Sequence, residues 1–217
     1  MSEKQLTKAG VFIIESLSFA DEQHKRFEGQ LIANILDLNL IPSTYYYIRT
    51  KRELDEVLDL FDASNYRYLH ISCHGSNTHL HLTLDDLTFE EIGGILRGHL
   101  AKRRLFLSAC QATSTNLIKT IIPQSACYSV IGPVNNIQFR DAAISWAAFY
   151  HLMFKSDPKI MKRELLIKNL QKVVNTFEEP LNYFSSSSHN AKGYKKKLVR
   201  VQQLKYQSAG EETNGSL

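Results

Sequence analysis

The sequence predicts an α/β domain built on a doubly wound, mostly parallel sheet with helices on both faces. Two observations carry this expectation. Short apolar runs rich in β-formers alternate along the chain with amphipathic stretches of helical length, and the capping boxes Thr50-x-x-Glu53 and Thr88-x-x-Glu91 mark where two of the helices open. Strands and helices alternating at these lengths require right-handed crossovers, which leave the sheet parallel and covered on both sides.

Val11-Phe12-Ile13-Ile14 reads as the first buried strand. Asp21 then caps a helix whose Phe27, Leu31, Ile32, Ile35 and Leu36 recur at helical spacing. Thr44 to Arg49 is the second strand, and its Tyr45-Tyr46-Tyr47 fits packing on both sides better than a base-stacking platform. After the Thr50 box, Leu54, Val57, Leu58 and Phe61 form the next apolar helix face. Tyr66 to Ser72 is the third strand, and in His79 to Leu84 leucines alternate with His79, His81 and Thr83 as in a half-exposed hairpin or edge strand. The Thr88 box opens a helix through Leu96, and Leu105 to Ala109 is the fourth long strand. A helix from about Thr115 is expected to stop near Pro123, and Tyr128 to Ile131 forms a fifth strand ending at Gly132-Pro133. Helices follow at about Asp141–Phe154 and Lys159–Phe177.

The chain of 217 residues is expected to divide into a polar segment at 1–9, one domain at 10–180 and a basic, partly disordered segment at 181–217. Leu181 to Gly210 holds no acidic residue, while Lys192, Lys195, Lys196, Lys197, Arg200 and Lys205 are basic, which predicts a solvated helix or loop followed by a frayed tail. Residues beyond about Ser208 carry too little apolar surface to dock.

A net charge of +4 is too small to imply a nucleic-acid partner, and no segment approaches the length of a membrane span, so a cytoplasmic protein is expected. Cys73, Cys110 and Cys127 lack C-x-x-C spacing, which argues for reduced thiols. Neither G-x-G-x-x-G nor G-x-x-x-x-G-K-[ST] occurs, so no nucleotide cofactor is expected. His79 and His81 share one strand face without a third ligand, so no metal is expected there, and Asp85, Asp86 and Asp141 read as turn and cap residues.

Chemistry collects beyond the carboxyl ends of parallel strands. Two ends here carry reactive groups: the third strand finishes His70-Ile71-Ser72-Cys73-His74-Gly75 and the fourth Leu105-Phe106-Leu107-Ser108-Ala109-Cys110. On neighbouring strands, about 4.8 Å apart, His74 could serve as general base to a Cys110 nucleophile. The amides of Gly75 and Cys110 could receive an oxyanion. Cys73 lies next to His74 in sequence and therefore points to the opposite, packed face.

These strand ends, His-Gly on one and Ser-Ala-Cys on the next, resemble the CHAT-domain branch of the caspase-like peptidases. Val130-Ile131-Gly132-Pro133 and Asp141-Ala142 running into Phe149-Tyr150 resemble that family's next strand and helix. The resemblance spans roughly residues 10 to 175. It implies a caspase-like fold and a cysteine endopeptidase working through His74 and Cys110, with oxyanion donors at the amides of Gly75 and Cys110. It also implies a protein substrate lying extended along a strand edge near Pro133 to Ile137, with Ser72, Ser108, Pro133, Val134 and Asn135 as substrate-binding residues, and no cofactor. A separate activating sensor protein is expected, in a bacterial defence or cell-death setting. The alternative is an inactive caspase-like scaffold; a flavodoxin- or TIR-like module would leave the paired strand ends unexplained. The caspase signature Gln-Ala-Cys-x-Gly is absent, and Ser108 stands where basic-specific relatives place an Asp, which implies an uncharged P1 residue.

Overall fold

A computed structural model describes residues 7–202. In chain order the elements are β1 (Lys8–Glu15), α1 (Phe19–Gln23), α2 (Glu28–Leu38), β2 (Ser43–Tyr47), α3 (Lys51–Ser64), β3 (Tyr66–Ser72), β4 (His74–Gly75), β5 (His79–His81) and β6 (Asp86–Thr88). They continue with α4 (Phe89–Arg97), β7 (Arg104–Ser108), α5 (Thr115–Ser125), β8 (Ser129–Pro133), α6 (Phe139–Ser156), α7 (Arg163–Phe177), β9 (Leu181–Ser186) and β10 (Tyr194–Val199).

Seven strands form one sheet in the order β10-β9-β8-β7-β3-β1-β2, and β4-β5-β6 form a small antiparallel sheet beyond the end of β3. From β8 to β2 the pairing is parallel, while β9 and β10 add on antiparallel. Strand side chains alternate between the two faces and feed two cores. On one face Phe12, Ile14, Leu69, Ile71 and Leu107 meet the apolar stripes of α3, α4 and α5. On the other, Val11, Ile13, Tyr68, Phe106 and Ile131 meet α2, α6 and α7. The predicted fold class is the one observed. Both expected capping boxes form, at Thr50/Glu53 and Thr88/Glu91. The tyrosines of β2 reach both cores, although β2 is the edge strand and stays half-buried.

Several expectations are corrected. The segment from 181 does not lie outside the domain: Leu181–Ser185 pair with Ser129–Pro133, and β10 closes the sheet against β9. Of the lysines that suggested a solvated segment, Lys195 to Lys197 are exposed on this outermost strand, a composition that keeps an open sheet edge from pairing with other chains, and Lys205 lies outside the described residues. Residues beyond about Ser208 lie outside the described residues.

Asp21 does not open the long helix. Ser18 caps the short α1, and Lys25 turns the chain through a left-handed φ of 56°. α2 then begins at Glu28, where the Glu15 carboxylate accepts from the amides of Gly29 and Gln30 and does the work of a cap from the end of β1. α5 runs past Pro123 to Ser125; the proline forfeits one hydrogen bond while Ile121 and Ile122 stay buried. α7 starts at Arg163, because the Asp157 side chain ties up the amides of Lys159, Ile160 and Lys162 in a turn before it. Among the described residues no helix is long and apolar enough to cross a membrane.

Candidate active site

The parallel register sets Ser72 opposite Ser108, and continuing it by two residues brings His74 level with Cys110. The Cys73 amide donates to Ser108 O and carries the pairing past the last strand residue. Gly75 then passes directly over the Cys110 backbone: a Cβ at this position would stand 2.8 Å from Cys110 O and 3.0 Å from the Ala109 Cβ. Only glycine permits that approach. Cys110 is partly exposed and is followed by Gln111 at a left-handed φ of 56°, which turns the chain sharply away from β7.

His74 is held by a residue that the sequence had assigned to a helix cap. Its Nε2 lies 2.6 Å from Asp21 Oδ2, and its ring meets Phe139 edge to face at 5.3 Å. Asp21 is itself fixed: Ser18 Oγ donates to Oδ2, and Arg26 Nη1 donates to Oδ1 at 2.8 Å. Burial pushes the Asp21 carboxyl up, but the hydrogen bonds from Ser18, His74 and Arg26, together with the His74 charge, outweigh it and leave it below the usual carboxylate range. An ionised Asp21 can only accept, so His74 Nε2 is the donor of this hydrogen bond, and Nδ1 is the ring nitrogen left without a partner among the described residues. The pattern Ser18-x-x-Asp21 was the available signal, since it marks Ser18 as the cap and moves Asp21 into the first turn.

No hydrogen bond joins His74 to Cys110 in this conformation. The thiol is instead strapped by the segment after β8: Ile137 N lies 3.4 Å from Sγ, and Ile137 O lies 3.6 Å from it. The same segment clasps the next residue, for Gln111 N donates to Asn135 O and Gln111 Nε2 to Asn136 Oδ1.

The other two thiols are in different surroundings. Cys73 lies in the core beneath α3 and α4, and Cys127 is fully buried; burial pushes each up to about 12. Cys73 therefore faces the packed side, as strand alternation requires.

The first part of the expected substrate edge is paired within the chain. Pro133 is buried opposite Leu181 on β9, and Val134 N donates to Pro180 O, so these two residues present no free strand edge. Asn135 is exposed and lends its carbonyl to Gln111. Ser72 and Ser108 lie beneath the surface at 1% and 3% exposure, with hydroxyls that find no hydrogen-bond partner. His79 and His81 do share a face, their rings stacked at 6.0 Å, with His81 bound to Asp86. Among the described residues no group of three His, Cys, Asp or Glu side chains is placed to hold a metal. Asp85 accepts from Lys51 N at the start of α3, a capping role, and Asp141 lies in the first turn of α6.

No family model and no curated protein matches the sequence. Solved structures do match. The secreted C11 cysteine protease iotapain from Bacteroides thetaiotaomicron is similar with a TM-score of 0.52 at 10% identity, over 83% of this chain and 67% of that one. Caspase-1 from Spodoptera frugiperda is similar with a TM-score of 0.50 at 12% identity, over 90% of this chain and 87% of that one. The chain has the fold of the caspase-like cysteine peptidases.

Proposed function

We propose that the protein is a cysteine endopeptidase of the caspase-like type, with Cys110 as nucleophile, His74 as general base and Asp21 as the residue that orients it. The observation that carries this reading is the His74–Asp21 pair: a half-exposed imidazole with Nε2 held by a fixed carboxylate and Nδ1 free, on the strand end whose glycine abuts the Cys110 backbone. In the proposed reaction His74 Nδ1 takes the Cys110 proton and the thiolate attacks the peptide carbonyl carbon. The oxyanion is received by the amides of Cys110 and Gly75. The C–N bond then breaks as the imidazolium gives its proton to the leaving amine, leaving a thioester. Water, deprotonated by His74, hydrolyses the thioester and frees Cys110.

The Ile137 strap over Sγ supports a second element of the proposal, that this conformation is latent. Turnover requires residues 134 to 137 to leave the thiol and expose an edge for an extended substrate. A separate activating protein, as the CHAT resemblance implies, would supply that displacement, in a defence or cell-death system. With Ser108 small and uncharged two residues before the nucleophile, the P1 residue is uncharged. The strap also favours a rival reading, an inactive scaffold that binds partners through the same face. A fluorogenic peptide library separates the two. The peptidase reading requires cleavage after uncharged residues that is lost in both Cys110→Ala and His74→Ala; turnover surviving in Cys110→Ala contradicts it, and a profile dominated by Arg, Lys or Asp contradicts the P1 assignment.

A further inference from the structure

At the amino ends of the strands, away from the candidate active site, a cavity of about 630 Å³ opens between β7, β9 and the start of α7, within the size range of small-molecule sites. From Arg104 at its wall to Cys110 the chain runs six residues, about 20 Å along β7. Five cationic residues line it, Arg67, Lys102, Arg104, Lys162 and Arg163, and no acidic residue does. Among the described residues none of the five forms a salt bridge.

The two innermost arginines are held by neutral acceptors. Arg67 donates to Thr7 Oγ1, Thr7 O and Lys159 O. Arg104, only 9% exposed, donates to Ser129 Oγ and Met161 O, while its Nε has no partner. Ser185 Oγ and Tyr183 OH, also in the wall and buried, have no hydrogen-bond partner either. Burying a guanidinium without a counter-charge is costly, and orphaned buried donors are rare. The nearby Asp157 does not compensate, since it accepts from three backbone amides. The opening turn of α7, a helix of 15 residues whose N-cap Lys162 makes no side-chain cap, adds its positive end to the same wall; Glu164 in that turn does not line the cavity.

We propose that this cavity is a binding site for a small oligophosphate anion. A planar guanidinium with a free Nε, two hydroxyls and flexible lysines at the rim match several phosphate groups carried on one ligand better than one small anion. The site is independent of the peptidase reading.

The test is calorimetric titration of the full chain with sodium tripolyphosphate, against sodium sulfate at matched ionic strength. One saturable tripolyphosphate site per chain is expected, bound at least tenfold more tightly than sulfate. The exposed change Arg163→Glu should weaken it tenfold or more without altering the fold. Arg104→Lys, which keeps the charge but loses the fork, should weaken it as well. Equal binding of sulfate, or affinity unchanged in both variants, overturns the proposal by reducing the cavity to a charged surface. A single-stranded oligonucleotide that displaces tripolyphosphate, binds more tightly and loses affinity in the same variants also overturns it, by assigning the cavity to nucleic acid.

Discussion

Cys73 and Cys110 lie at the ends of adjacent parallel strands, yet the fold treats them as different chemical groups. Cys73 points into the core beneath α3 and α4, where burial pushes its thiol up to about 12, far from any reactive form near neutrality. Cys110 comes off the next strand toward the other face, partly exposed and level with a carboxylate-held histidine. The difference is produced by strand alternation and by Gly75, whose missing side chain lets the two strand ends touch. Sequence proximity to His74 therefore says little about which thiol shares its face of the sheet. Register says more.

The largest expected effect on this contrast comes from the histidine's partner. In Asp21→Asn, Arg26 still requires an oxygen at the Oδ1 position, so the new amide nitrogen faces His74 and donates to Nε2. The imidazole then carries its proton on Nδ1 and loses its role as base. Peptidase turnover should fall by about 10²–10⁴-fold with the fold intact, as when a comparable orienting carboxylate is replaced in other triads. A merely structural Asp21 would instead leave the pH profile of thiol alkylation unchanged.

Gly75→Ala attacks the contact that joins the two strand ends. The added methyl meets a backbone oxygen, which cannot swing aside, so a loss of about 1–3 kcal/mol is expected, together with loss of activity. Circular-dichroism melts at two denaturant concentrations would measure it; an unchanged Tm would show that the strand ends are not in contact.

A smaller effect is expected at the end of β1, where Glu15 caps α2. Burial pushes the Glu15 carboxyl up to about 7; hydrogen bonds from Gly29, Tyr45 and Gln30 oppose this, and the Glu28 charge adds to it. Between about 4.5 and about 7 the folded protein therefore holds a proton that the unfolded chain has released, so stability contributed at this site falls as pH rises through that window. Glu15→Gln removes the titration and should gain on the wild type in Tm between pH 5 and pH 7. Parallel curves would contradict this.

The alternation of elements was legible because apolar runs and capping boxes are local, and the placing of His74 level with Cys110 because strand ends in a parallel sheet gather in one place. What stayed hidden depended on distant partners. Asp21 looks like any helix-cap residue until the turn at Lys25 brings Arg26 back to it and β3 presents His74. Pro133 and Val134 read as an open edge because the strand that covers them, Leu181–Ser186, is followed by serines and lysines that resemble a tail. Ile137 carries no chemical signal at all, since its backbone makes the contact with Sγ.

The role proposed for Cys110 and His74 is tested by covalent labelling with a peptide electrophile and mass-spectrometric mapping of all three cysteines, on the wild type and on Cys110→Ala, His74→Ala and Cys73→Ala. An adduct on Cys110 alone is expected, absent in Cys110→Ala, slowed in His74→Ala and unchanged in Cys73→Ala. An adduct on Cys73 or Cys127, or His74→Ala labelled at the wild-type rate, would contradict it.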